Sequence, residues 1–100
     1  MLDEIVRRLR AAFSPAMIYH FGSSARGTAQ SHSDIDLLVI VPESDLDFFR
    51  RSAVAVAALR GLAVPIDVQV YTRDEFEQRA ALPISFERTV KESGRVLYAA

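Results

Sequence analysis

Two aspartates, Asp34 and Asp36, open the apolar run "DIDLLVIV" (34–41). On a strand, residues two apart point to the same side, with Cα atoms about 6–7 Å apart. Carboxylates so placed can chelate one divalent ion or bridge two ions about 3.5–4 Å apart. An oxygen-only donor set with no thiolate nearby suits Mg²⁺ or Mn²⁺ better than zinc. Upstream, Gly22-Ser23 follows the stretch "AMIYHF" (16–21). Glycine lets a ligand approach the backbone, and free N–H groups at a helix start attract anions. The Ser23 hydroxyl adds a donor for a phosphate oxygen, and Arg26 could reach a phosphate or pair with an acidic neighbour. Singly, each has a plainer reading: a solvated turn for D-x-D, an ordinary N-cap for Ser23.

The elements that must position these groups follow from periodicity. Leu2, Ile5, Val6, Leu9 and Phe13 have helical spacing, and Pro15 ends that helix. Residues 16–21 read as a short strand, after which Ser23 is expected to cap a brief helix running to about Gly27. "TAQSHS" reads as a polar loop. From Asp34 the chain alternates Asp34, Asp36, Leu38 and Ile40 with Ile35, Leu37, Val39 and Val41. Both faces are apolar beyond the aspartates, so this strand is expected to be central and covered on both sides.

Ser44 and Asp47 then resemble a capping box for a helix running to about Arg60, with Gly61 as its stop. On its wheel, Leu46, Phe49, Ala53 and Val56 form the main apolar arc, widened by Phe48, Ala55 and Leu59. Val54 falls among Asp47, Arg50 and Arg51, a hint that this helix also covers a partner. "PIDVQVYT" (65–72) is a third strand with Asp67, Gln69 and Tyr71 on one face. "RDEFEQRAAL" and "PISFERTVKES" are expected to be helical, and "GRVLYA" to form an edge strand. The Arg7, Arg8 and Arg10 cluster reads as a solvated helix face balanced in part by Asp3.

If the first two strands pair antiparallel, Gly22-Ser23 and the aspartate pair share one rim. A strand–helix–strand crossover makes the second and third strands parallel, which brings Asp67 level with the pair. Three carboxylates at one rim repel one another unless cations meet them. Two magnesium ions and a nucleoside triphosphate would neutralise them, as phosphoryl and nucleotidyl transfer require. The expected fold is therefore α/β (α+β), a small mixed sheet flanked by helices.

The chain has 100 residues, with 50% hydrophobic and 25% charged, a balance that fits one globular domain over 1–100. Net charge is −1, which argues against a protein that coats nucleic acid, even though eleven of its twelve cations are arginine. The absence of cysteine excludes disulfides and thiolate metal sites. The charged N-terminal pattern is neither a signal peptide nor a membrane span, so no membrane contact and a cytoplasmic location are expected. His32, in the polar loop, and His20, in the first strand, read as an ordinary loop and a sheet residue. Tyr19, Tyr71 and Tyr98 read as packing residues.

"GSSARGTAQSHSDID" resembles the signature of polymerase-β-type nucleotidyltransferases: G-S, ten residues, then D-x-D. The A-R-G at 25–27 and S-D-I-D-L at 33–37 are similar to the minimal nucleotidyltransferase (MNT) branch, and Asp67 matches its third carboxylate. The resemblance implies one minimal nucleotidyltransferase domain that transfers AMP from ATP to a hydroxyl with Mg²⁺. Asp34, Asp36 and Asp67 would be the catalytic and metal-holding residues, with Gly22, Ser23, Arg26 and Ser33 at the nucleotide. It also implies an antitoxin of a type VII toxin–antitoxin pair, with a tyrosine of a HEPN-domain toxin as acceptor, and leaves homo- or hetero-oligomers open. The competing readings are an antitoxin that acts by steric capture and an enzyme that modifies a small molecule such as an aminoglycoside.

Overall fold

The computed structural model describes residues 1–25 and 34–100, the side chains of Ser23 and Ser24 excepted. The order is α1 (Leu2–Phe13), β1 (Met17–Phe21), α2 (Gly22–Ala25), β2 (Ile35–Val41), α3 (Phe48–Ala58), β3 (Ile66–Thr72), α4 (Arg73–Ala80), α5 (Phe86–Ser93) and β4 (Arg95–Ala99). The strands form one mixed sheet in the order β3-β2-β1-β4. β1 runs antiparallel to β2 and β4, whereas β2 and β3 are parallel, as the intervening α3 crossover requires. The mixed α/β architecture expected from the sequence is the one observed. The polar loop, with Arg26, His32 and Ser33, lies outside the described residues.

Two apolar layers sandwich the sheet. On one side, Ile5 and Leu9 of α1, Ala55 of α3 and Leu59 at its C-terminal end pack on Ile18, Leu37, Val39, Val41 and Val70. On the other, Phe76 and Ala80 of α4 and Val90 of α5 pack on Tyr19, Leu38, Ile40 and Tyr71. Residues 37–41 are buried throughout, so β2 is central. Burying side chains of this size is worth about 1.5–3 kcal/mol each. That gain fixes the register of β2, because a one-residue slip would drive Asp36 into the α1/α3 layer and expel Leu37.

Helix ends follow local chemistry. Ser14 adopts the left-handed conformation (φ 47°) and returns its N–H to Arg10 before Pro15. Thr72 and Glu75 form a reciprocal capping box that starts α4 directly from the last residue of β3. Ser85 caps α5 by accepting from the Arg88 N–H at 3.1 Å.

Three expectations are corrected. First, α3 is capped by Asp47, whose Oδ1 accepts from the Arg50 N–H at 2.8 Å, while Ser44 Oγ accepts from the Leu46 N–H ahead of the helix. The helix therefore starts one turn later than the sequence suggested. Second, the arc of Leu46, Phe49, Ala53 and Val56 faces outward, with Phe49 83% and Val56 64% exposed. The inward face holds Arg51, Ala55 and Leu59. The Arg51 guanidinium donates to the Leu46 and Val70 carbonyls and, through two nitrogens, to the Glu75 carboxylate. Those partners lie outside the helix, so a wheel drawn from α3 alone cannot register them.

Third, the α1 arginines are not a simple solvated face. Arg7 and Arg8 both pair with Glu4 rather than Asp3. Arg8 also donates to the Arg60 carbonyl at 2.8 Å, placing a cation on the carbonyls just beyond α3. Arg10 sits 4.5 Å over the Tyr98 ring.

Candidate active site

The rim formed by the end of β1 and the starts of β2 and β3 collects the residues singled out for chemistry. Phe21, the last residue of β1, is the register partner of Asp36, and Asp36 is the register partner of Asp67. Register partners on neighbouring strands point to one side, here the face covered by α4 and α5. Asp36 thus stands between the chain turn at Gly22 and the carboxylate of Asp67. Asp34, just ahead of β2, is exposed, as is Asp67; Asp36 is half-buried.

Gly22 is held at φ +79°, a backbone state that residues with a side chain rarely adopt. A Cβ built there would lie 2.5 Å from Asp36 Oδ2. Glycine is therefore required twice, for the turn into α2 and for the approach of backbone to carboxylate. The turn of α2 begins at Gly22 itself, one residue ahead of Ser23. A Gly22→Ala variant is expected to lose about 1–2 kcal/mol from backbone strain alone. It should also displace the Asp36 carboxylate, so any activity requiring Asp36 should fall more than stability. Denaturant melts beside turnover measurements would show this.

The electrostatics of the rim follow from the same placement. Burial pushes the Asp36 carboxyl above its ordinary value, and the neighbouring Asp67 and Asp34 charges push it further, with His20 opposing. Next to it, His20 is buried on β1, and burial, aided by the Arg95 charge, lowers its pKa. An acidic group surrounded by further acidic groups is poised for a cation or for a proton. Among the described residues, no three His, Cys, Asp or Glu side chains are already gathered closely enough to hold a metal ion. The donor chemistry still fits a hard divalent cation: the oxygens are carboxylate, and the repulsion raising the Asp36 pKa is what such an ion would remove.

The structure brings together Gly22, Asp36 and Asp67, with Asp34 within electrostatic reach of Asp36. Arg26, Ser33 and the Ser23 side chain lie outside what is described. Beside Gly22 is a feature the sequence reading missed: a cavity of about 200 Å³ walled by residues of β1, α2, α5 and β4. Its members share no motif, and only the folded position of α5 assembles them.

The sequence pattern of the nucleotidyltransferase domain family matches residues 2–97. The chain belongs to this family. A relative from Methanocaldococcus jannaschii, provisionally named a protein adenylyltransferase, is 33% identical over 99 residues, covering 97% of this nucleotidyltransferase and 94% of its own length. A solved structure of a toxin–antitoxin with AMP-PNP superposes with a TM-score of 0.70 at 25% identity, covering 98% of this chain and 73% of that one. A crystal structure of a provisionally named nucleotidyltransferase from Sulfolobus solfataricus superposes with a TM-score of 0.68 at 23% identity, covering 98% and 77%, and shows the shared fold. Among the described residues of this nucleotidyltransferase, no helix is long and apolar enough to cross a membrane.

Proposed function

We propose that this nucleotidyltransferase is a single-domain cytoplasmic protein adenylyltransferase, transferring AMP from ATP to a hydroxyl, and that its acceptor is a tyrosine of a HEPN-domain toxin. In this reading it is the antitoxin of a type VII pair. The observation that carries the transfer chemistry is the alignment of Gly22, Asp36 and Asp67 across three adjacent chain segments. The M. jannaschii relative's name supports protein as the acceptor, and the toxin–antitoxin neighbour with AMP-PNP supports both a partner and a nucleotide.

Asp34, Asp36 and Asp67 would hold two Mg²⁺ ions, which when bound would neutralise the triphosphate and activate the attacking hydroxyl. The acceptor hydroxyl releases its proton to water, its oxygen forms a bond to the α-phosphorus, the α–β phosphoanhydride bond breaks, and pyrophosphate leaves. Gly22 and Ser23, with Arg26 and Ser33, would grip the phosphates, the open backbone at Gly22 allowing the closest approach. Asp67, on the flank away from Gly22, faces the side from which an acceptor can arrive. Such chemistry depends mainly on positioning and charge neutralisation.

Incubation with labelled ATP, Mg²⁺ and the toxin should label the toxin, and the label should vanish with Asp36→Asn. A second reading, steric capture without transfer, is favoured by the outward apolar face of α3, where Phe49 and Val56 stand exposed. Full toxin neutralisation by a stable Asp34→Asn/Asp36→Asn double variant, with no label on the toxin, would select that reading. Label on a small hydroxyl compound and never on protein would exclude both.

A further inference from the structure

We propose that the cavity beside α2 is a nucleobase site, which seats the adenine ring of the nucleotide whose phosphates lie at Gly22; this rests on the nucleotide reading given above. The cavity measures about 200 Å³, smaller than the pockets that enclose whole drug-sized ligands and suited to one ring system. Gly22 and Ala25 form one wall, so the cavity is continuous with the turn assigned to the phosphates. It lies on the β1–β4 side of Asp36, whereas Asp67 lies on the β3 side. Nucleoside and acceptor would therefore approach from opposite flanks, and the cavity does not compete with the acceptor.

The lining has the chemistry of a base site. Phe86 stays exposed although its ring meets Phe21 edge-on at 5.2 Å, leaving an aromatic surface at the cavity. Purine bases stack on such surfaces without needing a specific edge. Three side chains of the lining are polar, Thr89, Ser93 and Arg95; the serine hydroxyl can serve either way, and the other two offer opposite functions. Thr89 Oγ1 donates its proton to the Ser85 carbonyl at 3.2 Å, so its lone pairs are left to accept. Arg95 can only donate. A lining that supplies both an acceptor and a donor suits adenine, which presents an amino group next to ring nitrogens.

The test compares binding of Mg·ATP with that of Mg·tripolyphosphate by titration calorimetry, in the wild-type chain, Phe86→Ala and Thr89→Trp. Thr89 is exposed on α5, so tryptophan there fills the cavity from outside the core and serves even if Phe86→Ala fails to fold. Each variant is expected to weaken ATP by roughly tenfold or more, the scale of one lost base stack, while tripolyphosphate binding stays unchanged. Unchanged ATP affinity in a folded variant, or equal weakening of both ligands, would overturn the base site and leave the nucleotide reading standing. Failure of the wild-type chain to bind either ligand would overturn both.

Discussion

Replacing Asp36 by asparagine is expected to lower nucleotidyl transfer by about a thousandfold or more while leaving the protein as stable as before, or more so. The loss follows from its position: Asp36 is the middle carboxylate of the rim, set in register with Asp67 and close against the Gly22 turn. In the proposed role Asp36 would hold a metal ion; a carboxylate so used contributes several kcal/mol to transition-state charge stabilisation, and the isosteric amide would contribute little. The unchanged or raised stability follows from the electrostatics. Burial and the charges of Asp67 and Asp34 all disfavour ionised Asp36 in the folded chain. Removing that charge removes the repulsion. Label transfer and thermal melts on the same preparation would measure both effects. Transfer within tenfold of wild type would show that Asp36 is not part of the reaction centre. A large fall in melting temperature would show that its role is structural.

The contrast between what the sequence disclosed at this rim and what it did not has a physical basis. The parity of a strand is a local property, so the D-x-D alternation correctly placed Asp36 on the face shared by Leu38 and Ile40 and opposite Leu37 and Val39. Asp67 could be levelled with Asp36 because a helical crossover leaves little freedom in handedness or direction, and the register pairs the two residues directly. Helix orientation is a different matter. A wheel places an apolar arc toward the core by default, but α3 turns its arc outward because Arg51 finds three partners at once on β3, α4 and its own approach segment. Arg8, which reaches the end of the α3 turn fifty residues away, was misread for the same reason. The cavity beside Gly22 escaped notice because its walls come from four separate elements with no spacing in common. Local periodicity reports faces; long-range polar contacts report which face wins.

That buried contact carries the largest expected effect on stability. Arg51→Ala should destabilise the chain by about 2–3 kcal/mol, at or just below the lower end of the roughly 3–5 kcal/mol for breaking a buried ion pair. The lower end applies because Arg51 is 4% exposed but its partner Glu75 is 45% exposed, so water can solvate the carboxylate left behind. What cannot be solvated is the Val70 carbonyl, inside the core beneath α3. For a domain of this length the loss corresponds to a fall in melting temperature of roughly 10–20 °C. Glu75→Gln keeps shape and loses charge, and about 1 kcal/mol is expected. The pair also sets an acid limit. The Arg51 guanidinium holds the Glu75 carboxyl at about 2, against an ordinary 4.5, with Thr72 adding a backbone N–H bond. A depressed folded-state pKa means that the unfolded chain binds the proton more tightly, so the contribution is complete above pH 4.5 and disappears as pH falls through 2. Glu4, held at about 2 by Arg7 and Arg8, titrates in the same window and remains in the Glu75→Gln variant. The difference between the two chains therefore isolates Glu75: their urea-unfolding free energies should converge on acidification from pH 5 to pH 2.5. A constant gap across that range would mean that the charge of Glu75 does not help to hold Arg51.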